Sequence, residues 1–308
     1  MTEPCEVCGS ADRRILEGVA DRVTGERFRV ILCRRCGFGR TDPVPASLDR
    51  YYPARYRRFG RVSGALLHRM YLRRVDGWRS SLPATGLALE IGAGTGWMLR
   101  ALRERGWRAV GSERTVEAAN VVRTAAGVPA FVGDIGAIRE APLLDLVVMF
   151  HVLEHLADPL GELGAVTKRL KPGGALVLGL PNIASWQSRV FGRHWMHLDV
   201  PRHLCHFTPD SIERALARSG LRLTRIDFRS PEHDPLGWVQ SALDRLGFEK
   251  DLLLRLLTRG QRRSGRLAAG AAIALAVPLS ALGAAAAAAS WPAGRGAVME
   301  VWAVRDAG

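Results

Sequence analysis

Four of the five cysteines stand as two CxxC pairs, Cys5 with Cys8 and Cys33 with Cys36, and each second cysteine is followed by glycine (Gly9, Gly37). A CxxC turn presents two thiolates together, and two such turns can close a tetrahedral site around one ion. Four cysteines leave no coordination place open, so the metal expected is a structural zinc. A second group lies in "LALEIGAGTGWML" at 87–99, where a strand carrying Glu90 runs into Gly92, Gly94 and Gly96 and then a helix. Glycine lets a ligand approach bare backbone, and the helix start favours its polar end. Glu113, closing the next strand, is placed to hold a ribose diol. The spacing is GxGxG, which suits a nucleoside without pyrophosphate better than NAD.

A third group gathers half of the eight histidines, His194, His197, His203 and His206, in "GRHWMHLDVPRHLCHFTPD" at 192–210. This loop follows the fifth strand, and ligands of open α/β sheets bind beyond the carboxyl ends of strands. A neutral imidazole there can take a proton from a reacting hydroxyl or acidic carbon. The histidine spacing matches no standard metal-ligand set. "FHVLEHL" at 150–156 adds Glu154 and His155, residue types that can form an acid–base pair, although the structural opening of a helix is the better fit for this stretch.

These residues need a scaffold, and short apolar runs alternating with helix-length amphipathic stretches supply it, as in βαβ units around a parallel sheet. Strands are expected at Leu87–Ile91, Arg108–Glu113, Ala130–Val132, Leu144–Phe150, 175–180, 221–228 and 298–304. Helices are expected at about 95–105, 115–126, 158–170 and 209–219, with Gly106, Gly127 and the "KPGG" at 171–174 as stops. Residues 1–45 form the cysteine module, 46–84 a helical connector or lid, 85–230 the nucleoside-binding core, 231–296 a helical insertion, and 297–308 the last core strand.

The insertion carries a basic run (Arg259, Arg262, Arg263, Arg266) and an uncharged stretch at 267–291, long enough to span a bilayer. It is mostly alanine, with Pro278 and two glycines as breaks, and each of its six strong apolar residues contributes only about −0.3 to −0.6 kcal/mol. A final strand returning to the sheet also argues against a span. A helical hairpin is expected instead, packed on the domain or lying in an interface, with 259–291 in peripheral contact with an anionic membrane.

With 308 residues, 47% apolar and 24% charged, the chain allows one α/β domain plus an appendage and excludes a disordered or fibrous protein. Only three of the 44 basic residues are lysine, and the net charge of +14 favours anionic partners without choosing among them. Glu3, Glu6, Asp12 and Glu17 interrupt any signal-peptide core, so the cytoplasm is expected, and five cysteines do not suggest a secreted disulfide framework.

The stretch 85–228 resembles a class I S-adenosylmethionine (SAM)-dependent methyltransferase, with "GDI" at 133–135, "FHVLEHLADP" closing the fourth strand and "LKPGGALVLGLPN" around the fifth. The resemblance implies a Rossmann-like seven-stranded sheet, mostly parallel with the last strand antiparallel. Carried over by position, Gly92, Gly94 and Gly96 bed the methionine and ribose part of the cofactor, Glu90 meets its amino group directly or through water, and Glu113 holds the ribose hydroxyls. Asp134 accepts from the adenine amino group, the Ile135 amide lies beside the ring, and Phe150 and His151 line the sulfonium end.

The cysteine module followed by "CRRCGFGRTDPVPASLDRYY" is similar to methyltransferases of deoxysugar and natural-product biosynthesis, including sugar C-methyltransferases. Those carry a Glu–His pair before an "hF[ST]" motif; His203 takes the histidine position and Arg202 replaces the glutamate. The resemblance therefore points to His203, and secondarily His155, for acid–base work, with a hydroxyl acceptor at least as well supported as a carbon. A small-molecule acceptor, sugar, lipid-linked or natural product, is the leading expectation. The rivals are an RNA base methyltransferase and a non-catalytic SAM-fold binding protein. Where amino-group methylation of bases uses [ND]PP[FY], this chain reads "FHVLEHL", so nucleic acid is not the expected partner; the intact glycine loop and Glu113 speak against an idle fold.

Overall fold

A computed structural model describes residues 4–52, 61–137, 142–257 and 265–306. The alternation of apolar runs and amphipathic helices becomes a seven-stranded sheet in the order β10-β11-β8-β7-β4-β5-β6. Its members are β4 (Leu87–Ile91), β5 (Arg108–Glu113), β6 (Ala130–Val132), β7 (Leu144–Phe150), β8 (Leu170–Pro181), β10 (Leu221–Asp227) and β11 (Val298–Arg305). From β6 through β8 all pairings are parallel, whereas β11 runs antiparallel to both β8 and β10. The central strands read as continuous apolar runs because helices cover both faces: Leu146, Val147, Val148 and Met149 of β7 are all fully buried.

Helices α1 (Arg61–Gly77), α2 (Trp97–Glu104) and α3 (Val116–Val121) belong to one half, and α4 (Pro159–Arg169), α5 (Trp186–Phe191) and α6 (Pro209–Arg218) to the other. Their starts follow from capping chemistry: Thr115, Asp158 and Thr208 each accept a backbone N–H of the first turn. Two expected boundaries differ. The fifth strand opens at Leu170, directly after α4, because Leu170 is already extended and pairs with Leu144; a register shift between Leu144 and Leu146 absorbs the glycines that were expected to stop the helix. The 115–126 helix becomes α3 and a wider turn over Val122–Ala126, closed by Gly127 in the left-handed region.

A second, antiparallel sheet holds β1 (Arg13–Ala20), β2 (Arg27–Cys33) and β3 (Gly39–Asp42), and its fourth strand is β9 (Cys205–His206), which comes from the loop beyond β8. As a result Cys5, Cys33, Cys36 and Phe38 share one apolar core with Leu204, Phe207, Ile212 and Met299. Arg202, fully buried, bonds Asp21 at 2.8 Å, Asp199 at 2.5 Å and the Tyr51 carbonyl, fastening this sheet to the histidine-rich loop.

The insertion before β11 contains α7 (Asp234–Arg245), α8 (Leu252–Leu257) and α9 (Arg266–Ser290). Pro278 and the glycines were expected to break the 267–291 stretch, yet α9 runs through all of them. Gly283 is a packing residue: a Cβ there would stand 3.2 Å from the Pro235 carbonyl of α7. At the other end Ala272 and Ala276 meet Leu243 and Leu252, so α7 and α9 run in opposite directions. Away from α7, Leu267, Ile273, Val277 and Leu282 are exposed. Arg259, Arg262 and Arg263 lie outside the described residues.

Candidate functional site

The turn from β4 into α2 requires its glycines. Gly92, Gly94 and Gly96 all have positive φ, at 69°, 58° and 74°, a region side chains avoid. A Cβ on Gly92 would lie 2.5 Å from Val152, and one on Gly96 2.6 Å from Ala126. The loop is held from the next strand, because the Gly94 N–H donates to the Glu113 carboxylate. Glu113 also accepts the Arg114 N–H, while burial pushes its carboxyl up. Glu90, inside β4, is buried; burial and the neighbouring Glu113 charge push it well above the carboxylate range, against one donated N–H from Leu99. Its Oε2, the Trp97 indole N–H and the Ser112 hydroxyl have no partner among the described residues. Buried polar atoms left without a protein partner, a carboxylate oxygen among them, can be satisfied by a ligand that brings a cation and hydroxyls.

Beyond β6, Asp134 is exposed and Ile135 fully buried at the start of a 3-10 turn over Ile135–Ala137. At the end of β7, Phe150 stacks on Trp78 with centroids 6.4 Å apart, and the Arg74 guanidinium lies 5.0 Å from the Phe150 ring centroid. His151 has φ 55°, its N–H held by the Gly179 carbonyl at 2.9 Å, which turns its side chain out of the sheet. A hollow beside it is lined by Arg74, Glu232, His233 and Glu300, residues the sequence reading did not single out. They come from three distant segments, and no local spacing relates them.

The structure brings His155 and His203 together, with ring centroids 4.7 Å apart. His155 Nδ1 meets the Arg202 carbonyl at 2.8 Å, and His203 Nδ1 meets the His197 carbonyl at 2.9 Å. Each of these bonds fixes the ring N–H on Nδ1 and leaves Nε2 as an acceptor. Glu154 lies beside them, with Oε1 3.2 Å from His151 Nδ1 and 3.9 Å from His203 Nε2, and with Oε2 unpartnered among the described residues. Burial opposes its charge, but His151, His203 and His155 outweigh this and take its carboxyl down to about 2. Burial takes His203 down to about 3, helped by His155, and so keeps its ring neutral. The carboxylate beside His203 is thus supplied by Glu154 from the strand-four loop, while Arg202, at the position of the expected partner, is engaged with Asp199 and Asp21. His206 bonds Thr41 at 3.0 Å in the second sheet, His197 is buried, and His194 sits near Arg193 at the surface.

The four cysteine sulfurs all lie within 4.8 Å of one another, Cys5 to Cys36 at 3.7 Å and Cys8 to Cys33 at 3.5 Å. No pair is bonded as a disulfide. Gly9 and Gly37 follow the knuckles with φ of 71° and 76°, the conformation each tight turn needs.

Residues 57–226 match a methyltransferase-domain family. A ubiquinone biosynthesis O-methyltransferase of Cereibacter sphaeroides is 28% identical over 179 residues, covering 53% of this chain and 71% of that protein. A protein of the same name from Ruegeria pomeroyi is 29% identical over 176 residues, covering 53% and 70%. Among solved structures, a SAM-dependent methyltransferase from Archaeoglobus fulgidus superimposes with a TM-score of 0.49 at 17% identity, covering 77% of this chain and 94% of that one. With more than half its length matched, the chain belongs to the methyltransferase-domain family and is a class I SAM-dependent methyltransferase.

Proposed function

We propose that the protein methylates a hydroxyl of a small-molecule acceptor in the cytoplasm, a sugar, lipid-linked or natural-product intermediate, with a carbon acceptor as the alternative. The observation that carries the reading is the pairing of buried Glu90, one oxygen unpartnered among the described residues, with Glu113 behind a three-glycine turn. When bound, SAM supplies a methyl group already activated on a sulfonium. In this reading Glu90 receives the cofactor's amino group, Glu113 exchanges the Gly94 amide for the ribose hydroxyls, and Asp134 with the Ile135 amide takes the adenine. Gly92, Gly94 and Gly96 admit the chain of the cofactor, and His151 lines the methyl's path. The acceptor oxygen would take the methyl, with S-adenosylhomocysteine as the leaving group, and Glu154, His155 and His203 are the groups that would manage the proton it loses. The relatives' name, O-methyltransferase, favours oxygen over carbon.

Cys5, Cys8, Cys33 and Cys36 would hold one structural zinc. A tetrahedron with Zn–S bonds of about 2.3 Å has S–S edges of about 3.8 Å, close to the 3.5 and 3.7 Å separations of the two closest pairs. The exposed apolar side of α9 supports peripheral contact with an anionic membrane. The test of the function is a titration with S-adenosylhomocysteine followed by a methyl-transfer screen over nucleotide sugars, lipid-linked sugars and RNA. Binding together with transfer to a small hydroxyl acceptor is expected; transfer to RNA alone would replace this reading with the nucleic-acid one.

A further inference from the structure

We propose that Glu154, His155 and His203 form a divalent-cation site, two imidazoles and one carboxylate, placed where the methyl acceptor docks. Their ligand atoms all lie within 4.8 Å of one another. Three further observations turn this proximity into a site. First, both imidazoles donate Nδ1–H to a backbone carbonyl, His155 to Arg202 and His203 to His197. That outer bond is the usual companion of a metal-ligating histidine, since it fixes the ring and makes Nε2 the donor. Second, Glu154 is 1% exposed and, although Oε1 meets His151, its Oε2 has no partner among the described residues, a costly arrangement for a buried carboxylate oxygen. Third, the 3.9 Å from Glu154 Oε1 to His203 Nε2 is too long for a hydrogen bond. An ion held at about 2.1 Å by each ligand sets them roughly 3 to 4 Å apart.

Around this triad the outer groups are also in place. His151 Nδ1 lies 3.2 Å from Glu154 Oε1 and orients the carboxylate, and Asp199 Oδ2 lies 4.0 Å from His203 Nε2. Two imidazoles and a carboxylate suit a divalent first-row ion and leave coordination places open on one side. Water fills those places at rest. An acceptor carrying two neighbouring oxygens could displace it; with the ion bound, Glu154, His155 and His203 serve as its ligands instead of taking the proton themselves, and the ion would acidify the hydroxyl so that its proton passes to solvent water as the oxygen takes the methyl. This last step rests on the methyltransferase reading above; the cation site does not.

The test loads the full chain with zinc at its cysteines and titrates Mn²⁺, following the free ion by electron paramagnetic resonance. One Mn²⁺ per chain is expected beyond the zinc, with Glu154→Gln and His155→Ala each weakening it at least tenfold. Zinc content and S-adenosylhomocysteine affinity, measured on the same samples, report whether each variant is folded, and His155→Ala at a half-buried position serves if Glu154→Gln is not. No Mn²⁺ uptake by the wild type up to millimolar concentration, or equal uptake by wild type and folded variants, overturns the site. A wild type that binds S-adenosylhomocysteine without Mn²⁺ overturns the cation site and leaves the transferase reading intact. Glu154-dependent Mn²⁺ uptake without S-adenosylhomocysteine binding supports the site and removes that reading instead.

Discussion

Glu113 accepts the Gly94 and Arg114 amides and holds the glycine loop from the neighbouring strand, where the Ser112 carbonyl also accepts the Gly92 N–H at 2.9 Å. If that carboxylate is the ribose partner, Glu113→Ala loses charge-assisted hydrogen bonds of about 1.5 to 3 kcal/mol, and calorimetry should show S-adenosylhomocysteine binding weakened by one to two orders of magnitude. Unaltered affinity would remove Glu113 from the site. His203 makes a complementary case: His203→Ala should lower turnover by about 10² to 10⁴ while cofactor affinity stays within twofold, because its contacts are Glu154, His155 and His197 and not the glycine loop. Loss of both together would make it structural. The glycine-loop residues were legible because their chemistry is local, a strand, a turn and a helix in one short stretch. The Glu154–His203 approach was not: each residue was visible, but the contact joins loops after two different strands, and only the sheet order sets them side by side.

At the level of elements, α7 carries an electrostatic penalty. Asp244 is buried with Oδ2 unpartnered among the described residues, and burial, aided by Asp251, pushes its carboxyl up to about 7. A raised folded-state value means that stability is fully present below the unfolded value near 4 and is lost as pH rises toward about 7. Asp244→Asn should therefore raise Tm at pH 8, and the gain should shrink toward zero at pH 4; equal Tm differences at both pH values would contradict the burial argument. The other side of the α7–α9 pair is apolar and open. Replacing the exposed Leu267, Val277 and Leu282 with serine should weaken binding to anionic vesicles in flotation assays without lowering Tm, and a membrane contact of this kind should also weaken with salt. The continuity of α9 through Pro278 was not legible, since composition marks breakers but not the partner helix that makes a glycine useful.

Across the whole molecule, the second sheet and the acceptor loop are one structure. β9 supplies the last strand, Thr208 donates to the Cys36 carbonyl at 2.7 Å, and Arg202 reaches Asp21. Structural zinc sites in small peptides are worth about 10 to 16 kcal/mol, comparable with the whole stability of a domain. Chelation is therefore expected to lower Tm sharply and to reduce turnover while S-adenosylhomocysteine, on the far half of the sheet, still binds; circular dichroism and calorimetry on the same sample check this, and an unchanged Tm on metal removal would detach the cysteines from stability. The cysteine spacing made the knuckles legible, but a two-residue strand leaves no periodicity to read, so its role as their closing edge emerged only from the pairing of Gly39 with His206 and Arg40 with Cys205. That pairing also sets a timetable for synthesis. Arg40 and Cys205 are 165 positions apart, which at about 5 to 20 residues per second is roughly 8 to 33 s of translation. All four thiols leave the ribosome long before the strand that seals them exists, so metal capture can precede sheet closure and the nascent chain carries an open edge in the interval.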